Sequence, residues 1–356
     1  MHKKLFIPGP IDCRPEVLEK LAQPMIGHRT KECTEIGQRI MANMQKIWKT
    51  KNVVVISTTS GSGLMEAAIK CCTAKRAACF SVGSFGDRWH KMATTNGVEA
   101  DIFRSEEGKC TTPEMVEEAL ATGKYDLITV THNETSSGVM NPVGEIAKVV
   151  AKYPDVVFCV DSVSSAGGAD IPVDEWGIDI CITSTQKCLG VPPGLSLASV
   201  SEKAYNRAKT VPNRGLYLDI VSIYDMMAEK AQYPSTPALS LMYALDWQLD
   251  QIVNVEGIEN RYARHIEMAQ FIRAWAKKHF DLVADEAHLS NTLTVIKKPE
   301  NVDIADLNKK LAEMGLTIAP GYGKLKNSSF RISHMGDYTM EDMKLVTSAI
   351  EKVLGL

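Results

Sequence analysis

The chain has 356 residues, of which 45% are hydrophobic and 23% charged, as is typical of a soluble globular protein. This length favours two domains, or one large domain with a smaller lobe. A formal net charge of −3 gives no electrostatic basis for binding nucleic acid or an anionic membrane surface. No apolar run approaches the ~18 residues of a membrane span.

Cysteine usage and the N-terminus indicate a reducing compartment. The nine cysteines are an odd number with scattered spacing, and none forms a CxxC pair. Several lie in apolar patterns, where a reduced cysteine packs as a small hydrophobe. Met1 to Pro10 carries charge but no apolar core, so no signal peptide is predicted. We therefore expect a cytoplasmic protein without disulfides, and the histidine spacing predicts no metal site.

The predicted elements begin with a helix, because apolar residues between 36 and 48 repeat at helical spacing. From about residue 50 to 200, strand-like and helix-like segments alternate. The predicted strands are 53–57, 78–82, 126–131, 156–161, 178–183 and 195–200. The predicted helices are 63–72, 85–95 and one that starts at Thr112-Pro113, a hydroxyl N-cap followed by proline. Such alternation with apolar strands favours an α/β fold, a mostly parallel sheet covered by helices on both faces.

The C-terminal third has a different pattern. Predicted helices at 265–280, 303–314 and 339–354 interleave with short strands at 292–296 and 330–333. This pattern indicates a second, smaller α+β lobe with a boundary near 254–260. The predicted organisation is an N-terminal segment (1–20) that packs with the small domain, a large domain (21–254) and a small C-terminal domain (255–356).

Two of the predicted strands lead into ionisable residues. Asp161 ends one apolar run, and Lys187 follows another. Parallel sheets place functional groups at the carboxyl ends of their strands. A desolvated lysine is a nucleophilic amine that can form a Schiff base with a carbonyl cofactor. Pyridoxal phosphate needs a lysine at its aldehyde and a carboxylate at its ring nitrogen. Taken alone, a lysine at a strand end is a surface cap as often as it is a functional residue.

A hydroxyl- and glycine-rich turn, Thr-Thr-Ser-Gly-Ser-Gly at 58–63, follows a predicted strand and opens a helix. Such a turn lets backbone amides approach a phosphate at the positive end of the helix dipole. On its own it is more often a plain helix cap. Together with Asp161 and Lys187 at other strand ends of one sheet, it favours a cofactor that carries a phosphate.

Seven segments spread over nearly the whole chain resemble the class V pyridoxal-phosphate aminotransferases of fold type I, specifically the alanine–glyoxylate and serine–pyruvate group. They are FIPGP (6–10), GHRT (27–30), SGSGLME (60–66), GSFGDR (83–88), THNETSSG (131–138), VDSVSS (160–165) and STQK (184–187). The resemblance implies a large domain with a mostly parallel seven-stranded sheet and a smaller α+β domain. It also implies that pyridoxal 5′-phosphate is the cofactor.

The resemblance implies a role for each matching residue. Lys187 would form the Schiff base and move a proton between the substrate Cα and the cofactor, while Asp161 keeps the ring nitrogen protonated. Phe85, where relatives often carry tryptophan, would stack on one ring face and Val163 on the other. Thr135 would lie near the ring hydroxyl. The phosphate contacts would be Ser60, Gly61, Ser62 and Gln186.

A further segment, YPSTP at 233–237, resembles one that reaches into the neighbouring subunit's phosphate site. It implies a homodimer with shared active sites, to which Tyr233 and Thr236 contribute. Arg331 matches the arginine that grips the substrate α-carboxylate, and its planar fork suits that group. Gly9 is also expected at the substrate site. Arg29 either holds a substrate side chain or anchors its segment to the large domain.

The resemblance implies an enzyme that transfers an amino group from a small L-amino acid, alanine or serine, to a 2-oxo acid, glyoxylate or pyruvate, in a ping-pong reaction. An aspartate or phosphoserine aminotransferase of the same fold is the alternative. A lyase or cysteine desulfurase fits less well, because those relatives usually carry histidine where this chain has Gln186, and the last cysteine, Cys188, precedes the small lobe. A non-catalytic relative would be expected to lack Lys187 or Asp161.

Overall fold

The computed structural model of the protein describes residues 3–356, and its elements group around two β-sheets. The strands are β1 (Lys4–Phe6), β2 (Val53–Ser57), β3 (Ala77–Ser81), β4 (Ala100–Arg104), β5 (Leu127–Thr131), β6 (Val157–Asp161), β7 (Ile180–Ser184), β8 (Ser196–Val200), β9 (Leu293–Lys297), β10 (Leu316–Pro320) and β11 (Ser329–Ser333). The helices are α1 (Pro15–Lys20), α2 (Lys31–Ile47), α3 (Gly61–Cys72), α4 (Ser84–Thr95), α5 (Pro113–Leu120), α6 (Val143–Val150), α7 (Glu202–Thr210), α8 (Ile220–Lys230), α9 (Leu239–Asp250), α10 (Ile258–His279), α11 (Ile304–Glu313) and α12 (Met340–Leu354).

The larger sheet has seven strands in the order β2-β8-β7-β6-β5-β3-β4. β8 runs antiparallel to both of its neighbours, and the other pairs are parallel. Every residue of β3, β5, β6, β7 and β8 is buried, because helices cover both faces of the sheet. The predicted mostly parallel α/β sheet is confirmed.

Most predicted elements of this sheet lie within a few residues of their predicted positions. α5 begins at Pro113, and the Thr112 side chain accepts a hydrogen bond from the Met115 amide, as the capping pattern predicts. The apolar stripe of α2 is buried in the core. The sequence pattern missed β4, because this edge strand is mostly half-buried and carries charged residues at Asp101 and Arg104.

The smaller sheet has the order β1-β10-β11-β9 and its own apolar core. β1 pairs parallel with β10, so the N-terminal strand belongs to a sheet otherwise built from residues after 290. Phe6 and Phe330 are fully buried in this core together with side chains of α10, α11 and α12. The capping box of α12, formed by Thr339 and Asp342, fixes where that helix begins.

A π-helical turn at Gln251–Glu256 and Gly257, with φ of +83°, separate α9 from α10. α10 begins at Ile258, earlier than the predicted helix. The apolar pattern missed its first turns because they contain Arg261, a charged residue that is buried in ion pairs with Glu256 and Asp337. We propose that the two domains divide at this turn, near residue 254, and that residues 1–20 pack with the small domain.

All nine cysteines are free thiols, and eight of them are buried. None of the helices within residues 3–356 is long and apolar enough to cross a membrane.

Candidate active site

The carboxyl ends of β5, β6 and β7 and the start of α3 meet around one cavity of about 150 Å³. Every residue that was predicted to contact the cofactor from its own chain lines this cavity. The lining residues are Ser60, Gly61, Ser62, Met65, Phe85, Arg88, Asn133, Thr135, Asp161, Val163, Ser164, Ser184, Gln186 and Lys187. The parallel sheet brings them together because its strands end on the same edge.

Lys187 follows β7 and is buried, with 7% of its surface exposed. Its Nζ donates a hydrogen bond to the carbonyl oxygen of Pro8. Burial lowers the pKa of the Lys187 ammonium to about 8, and the nearby charge of Arg331 adds to the effect. Gly9 has φ of +96°, and a Cβ there would lie 2.7 Å from Lys187 Cδ. Only glycine therefore allows the N-terminal segment to lie directly against the lysine.

Asp161 ends β6 and is also buried. Its Oδ1 accepts a hydrogen bond of 2.9 Å from the Val163 amide. Burial raises the pKa of the Asp161 carboxyl to about 6, although the Val163 amide and the positive charges of Lys187 and Arg88 oppose that shift. A cation that binds against this carboxylate would lower its pKa again. A protonated ring nitrogen is such a cation.

The other end of the cavity is lined by the first residues of α3 together with Ser184 and Gln186, and we call this part the polar cradle. α3 begins at Gly61, and the first amides of a helix have no acceptor within it. Ser184 Oγ and Gln186 Oε1 are buried and have no hydrogen-bond partner among the described residues. A Cβ at Gly61 would lie 2.8 Å from Val163 Cγ2, so the space there depends on glycine. The helix amides and the Ser184 hydroxyl are donors that fit the phosphate of pyridoxal phosphate, and the Gln186 side chain can present its NH2 group there after an amide flip.

Arg88 is a cavity residue to which the sequence analysis assigned no role. Its Nη1 donates to Ser62 Oγ over 3.0 Å, and its guanidinium lies 4.6 Å from the centroid of the Phe85 ring. No ion pair joins Arg88 to a carboxylate within residues 3–356. One signal for Arg88 was present in the motif GSFGDR, which ends in this arginine at helical spacing from Phe85.

Glu134 and Asn133 were also missed. Glu134 is fully buried and accepts hydrogen bonds of 3.0 Å from the amides of Phe85 and Gly86, so its carboxylate holds the start of α4. Asn133 donates to Ser164 O, and its Oδ1 is buried without a partner in the described chain. The available signal was an acid and an amide at the end of an otherwise apolar strand.

Arg331 lies in β11, with 8% of its surface exposed. Its Nε donates to Pro320 O over 2.9 Å and its Nη1 to Thr135 O over 3.1 Å. Burial lowers the pKa of the guanidinium to about 10. No carboxylate of the described residues forms an ion pair with it. A buried arginine without an acidic partner favours the binding of an anion.

Arg331 and Gly9 are not among the residues that line this cavity, although each contacts a lining residue. Arg29, Tyr233 and Thr236 do not line it either. Arg29 donates to the carbonyl oxygens of Tyr233, over 2.7 Å, and Pro234, over 2.6 Å. Of the two roles considered for Arg29, these contacts favour the anchoring of its segment to the large domain. Thr236 is exposed at the surface.

Comparison with known proteins identifies the family. The profile described as aminotransferase class-V matches residues 14–345, nearly the whole chain. The chain belongs to the class-V aminotransferase family. This aminotransferase is 38% identical to an uncharacterized aminotransferase of Methanocaldococcus jannaschii, over 99% of this chain and 93% of the relative. It is 31% identical to the serine–glyoxylate aminotransferase of Methylorubrum extorquens, over 94% of this chain and 86% of the relative.

A solved structure agrees with these relatives. The alanine–glyoxylate aminotransferase from Nostoc sp. superimposes with a TM-score of 0.93 at 26% identity, covering 99% of this chain and 96% of the other. The resemblance and the fold expected from the sequence, fold type I with a seven-stranded, mostly parallel sheet, are confirmed. The aminotransferase is therefore an enzyme of the transaminase type.

Proposed function

We propose that this aminotransferase binds pyridoxal 5′-phosphate at Lys187 and transfers the amino group of alanine or serine to glyoxylate or pyruvate. The observation that carries the proposal is the placement of the Lys187 amine, the Asp161 carboxylate and a polar cradle in one buried cavity. When bound, pyridoxal phosphate supplies a ring that withdraws electrons from the substrate Cα. The chain's own residues hold that ring, orient the substrate and move the proton.

Asp161 would hold a proton on the ring nitrogen, because its buried carboxylate has one oxygen bonded to the Val163 amide and a second oxygen available. Lys187 would accept the proton from the substrate Cα and return it. With its pKa lowered to about 8, a substantial fraction of this amine is neutral near physiological pH. A base with a pKa close to the working pH is efficient in both directions of proton transfer.

Ser60, Ser62 and the amides at the start of α3 would bind the phosphate, with Gln186. The phosphate carries up to two negative charges, and Arg88 and Lys187 are the cations among the described residues of the cavity lining. Because Lys187 is used to bind the aldehyde, Arg88 is the cation that remains to offset the phosphate charge. Its bond to Ser62 Oγ already places it beside the cradle.

Arg331 would bind the α-carboxylate that donor and acceptor share, and Gly9 would let the N-terminal segment cover the substrate next to Lys187. Small donors are favoured because Arg29, a candidate for a second anionic group, is already bonded to the backbone of residues 233 and 234. The names of the serine–glyoxylate and alanine–glyoxylate relatives support the same choice, whereas the name of an equally similar L-aspartate–glyoxylate aminotransferase supports the alternative. Aspartate or phosphoserine as donor is the alternative.

A desulfurase activity has little support. It requires a reactive cysteine thiol, and Cys188, the last cysteine in the chain, is 1% exposed. Burial raises the pKa of its thiol to about 12, so little thiolate forms at neutral pH.

We further propose a homodimer in which Tyr233 and Thr236 reach the partner's phosphate site. Thr236 is exposed, and Arg29 anchors residues 233 and 234, which supports a fixed segment with Thr236 at the surface. Tyr233 is buried within its own chain, with 3% of its surface exposed, so Thr236 carries the structural support for this contact. Co-expression of Lys187→Ala chains with chains carrying Tyr233→Phe and Thr236→Ala tests this. Mixed dimers should regain one working site, whereas activity no higher than that of either variant alone refutes the shared site.

The donor is tested by single-turnover reactions. The enzyme, loaded with pyridoxal phosphate, is mixed with each amino acid, and the loss of the cofactor's visible absorbance gives the rate. Alanine and serine should react fastest, and a faster reaction with aspartate or phosphoserine contradicts the small-donor proposal. Arg29→Ala, with Arg39→Ala as the matched surface control, should slow all donors alike. A loss confined to aspartate or phosphoserine assigns Arg29 to a second anionic group.

A further inference from the structure

The guanidinium of Arg331 is restrained by more than its hydrogen bonds. Its Nε and Nη1 donate to the backbone oxygens of Pro320 and Thr135, through N–H bonds that lie in the plane of the guanidinium. The aromatic ring of Tyr322 supplies a third contact, with its centroid 5.5 Å from the Arg331 Cζ. Three neighbours thus hold the arginine and leave part of its N–H fork for a ligand.

Tyr322 also touches the residue expected against the cofactor. Its ring stacks on Phe85 with the centroids 5.6 Å apart and the planes inclined by 16°. The following residue, Gly323, has φ of +59°, and a Cβ there would overlap Ser84 Oγ. The turn that carries Tyr322, between β10 and β11, therefore lies directly against the first residues of α4.

The hydroxyl of Tyr322 makes no hydrogen bond to any described residue, and 41% of the side chain is exposed. Its ring makes two contacts, one with the Arg331 cation and one with the Phe85 ring. These two ring contacts are typical of an aromatic side chain that orients a neighbouring cation through its face.

We propose that Tyr322 is a positioning residue, whose ring holds the Arg331 guanidinium in the orientation that receives the substrate carboxylate. This rests on the proposed function, which identifies the anion at Arg331 as the α-carboxylate. Without the ring, the arginine would sample other rotamers, and part of the binding free energy would be used to order it. Donor and acceptor share the carboxylate, so both would be affected.

The test compares Tyr322→Leu with Tyr322→Phe in the enzyme loaded with pyridoxal phosphate. Tyr322→Leu should raise KM for donor and acceptor alike by about 5- to 30-fold, with kcat within about twofold. Tyr322→Phe keeps the ring and should match the parent enzyme. The cofactor Kd should not change in either variant. Met314→Ala is the matched control, because Met314 lies in the same lobe and is also 41% exposed.

An unchanged KM in Tyr322→Leu overturns the proposal, and so does an equal defect in Tyr322→Phe, which would assign the effect to the hydroxyl. A calorimetric titration with propionate, a bare carboxylate, separates this inference from the proposed function because it needs no turnover. Weaker propionate binding in Tyr322→Leu alone supports the positioning role even if no amino acid reacts. Equal propionate binding in all variants refutes it, whatever the parent enzyme catalyses.

Discussion

The ionisation of Lys187 gives the sharpest quantitative prediction. Burial lowers the pKa of its ammonium from the ordinary 10.5 to about 8. At pH 7.5 an amine with a pKa of about 8 is about one quarter neutral, whereas one at 10.5 is about 0.1% neutral. The burial of Lys187 therefore increases its nucleophilic fraction by about 200-fold at this pH. The charge of Arg331 contributes to the shift, so Arg331→Met should move the pKa of Lys187 upward.

The assay follows the rate at which the cofactor-free enzyme captures pyridoxal phosphate between pH 6 and 11. Nα-acetyl-lysine is measured in parallel, so that the titration of the cofactor itself can be divided out. The corrected rate should rise with a midpoint near 8, and Arg331→Met should shift this midpoint to higher pH. A midpoint that coincides with that of the free amine would refute the account of a desolvated lysine.

Three further predictions concern the effect of Lys187 on folding stability and the roles of two other cavity residues. Because the unfolded chain binds more protons than the native one between pH 8 and 10.5, Lys187 destabilises the cofactor-free protein below pH 8 by up to about 3 kcal/mol. Urea unfolding should therefore show Lys187→Met to be more stable at pH 7, with the gain lost above pH 10.5; a less stable variant contradicts this. In a fluorescence titration, Arg88→Gln should weaken the binding of pyridoxal phosphate by about tenfold or more. The binding of pyridoxal, which lacks the phosphate, should not change. Arg104→Gln is its surface control, and equal losses for both ligands would reduce Arg88 to a packing role. Asp161→Ala should keep the cofactor but lower kcat by more than about 10²-fold, with Asp161→Glu milder, and near-parental turnover would show that another group protonates the ring.

The sequence predicted the part of the site that depends on strand ends. Asp161 and Lys187 follow apolar runs, and a parallel sheet places the ends of such runs on one edge whatever the intervening helices do. The phosphate cradle was predictable for the same reason, because the turn at 58–63 lies between a buried strand and a helix. Two strands of the smaller sheet were less predictable. β1 and β10 depend on each other as partners from opposite ends of the chain.

Residues that act through contacts between distant segments were not predictable. In the sequence, Arg88 has the pattern of a solvent-exposed helix position. It reaches Ser62 only because α4 packs beside α3. Tyr322 lies in a turn that lacks a recognisable pattern. Its contact with Arg331 exists only once β10 and β11 pair, and its contact with Phe85 only once the two lobes are together. Arg29 was left with two roles because its acceptors, near residue 233, are far away in sequence.

The most direct test of the central claim is to find the amine that holds the cofactor. Purified enzyme is loaded with pyridoxal phosphate, reduced with borohydride to fix the cofactor covalently, digested and mapped by mass spectrometry, with Lys187→Ala treated in parallel. The account predicts the label on the peptide that contains Lys187 and none on the variant. A label on another lysine, or an equal label on Lys187→Ala, would contradict it.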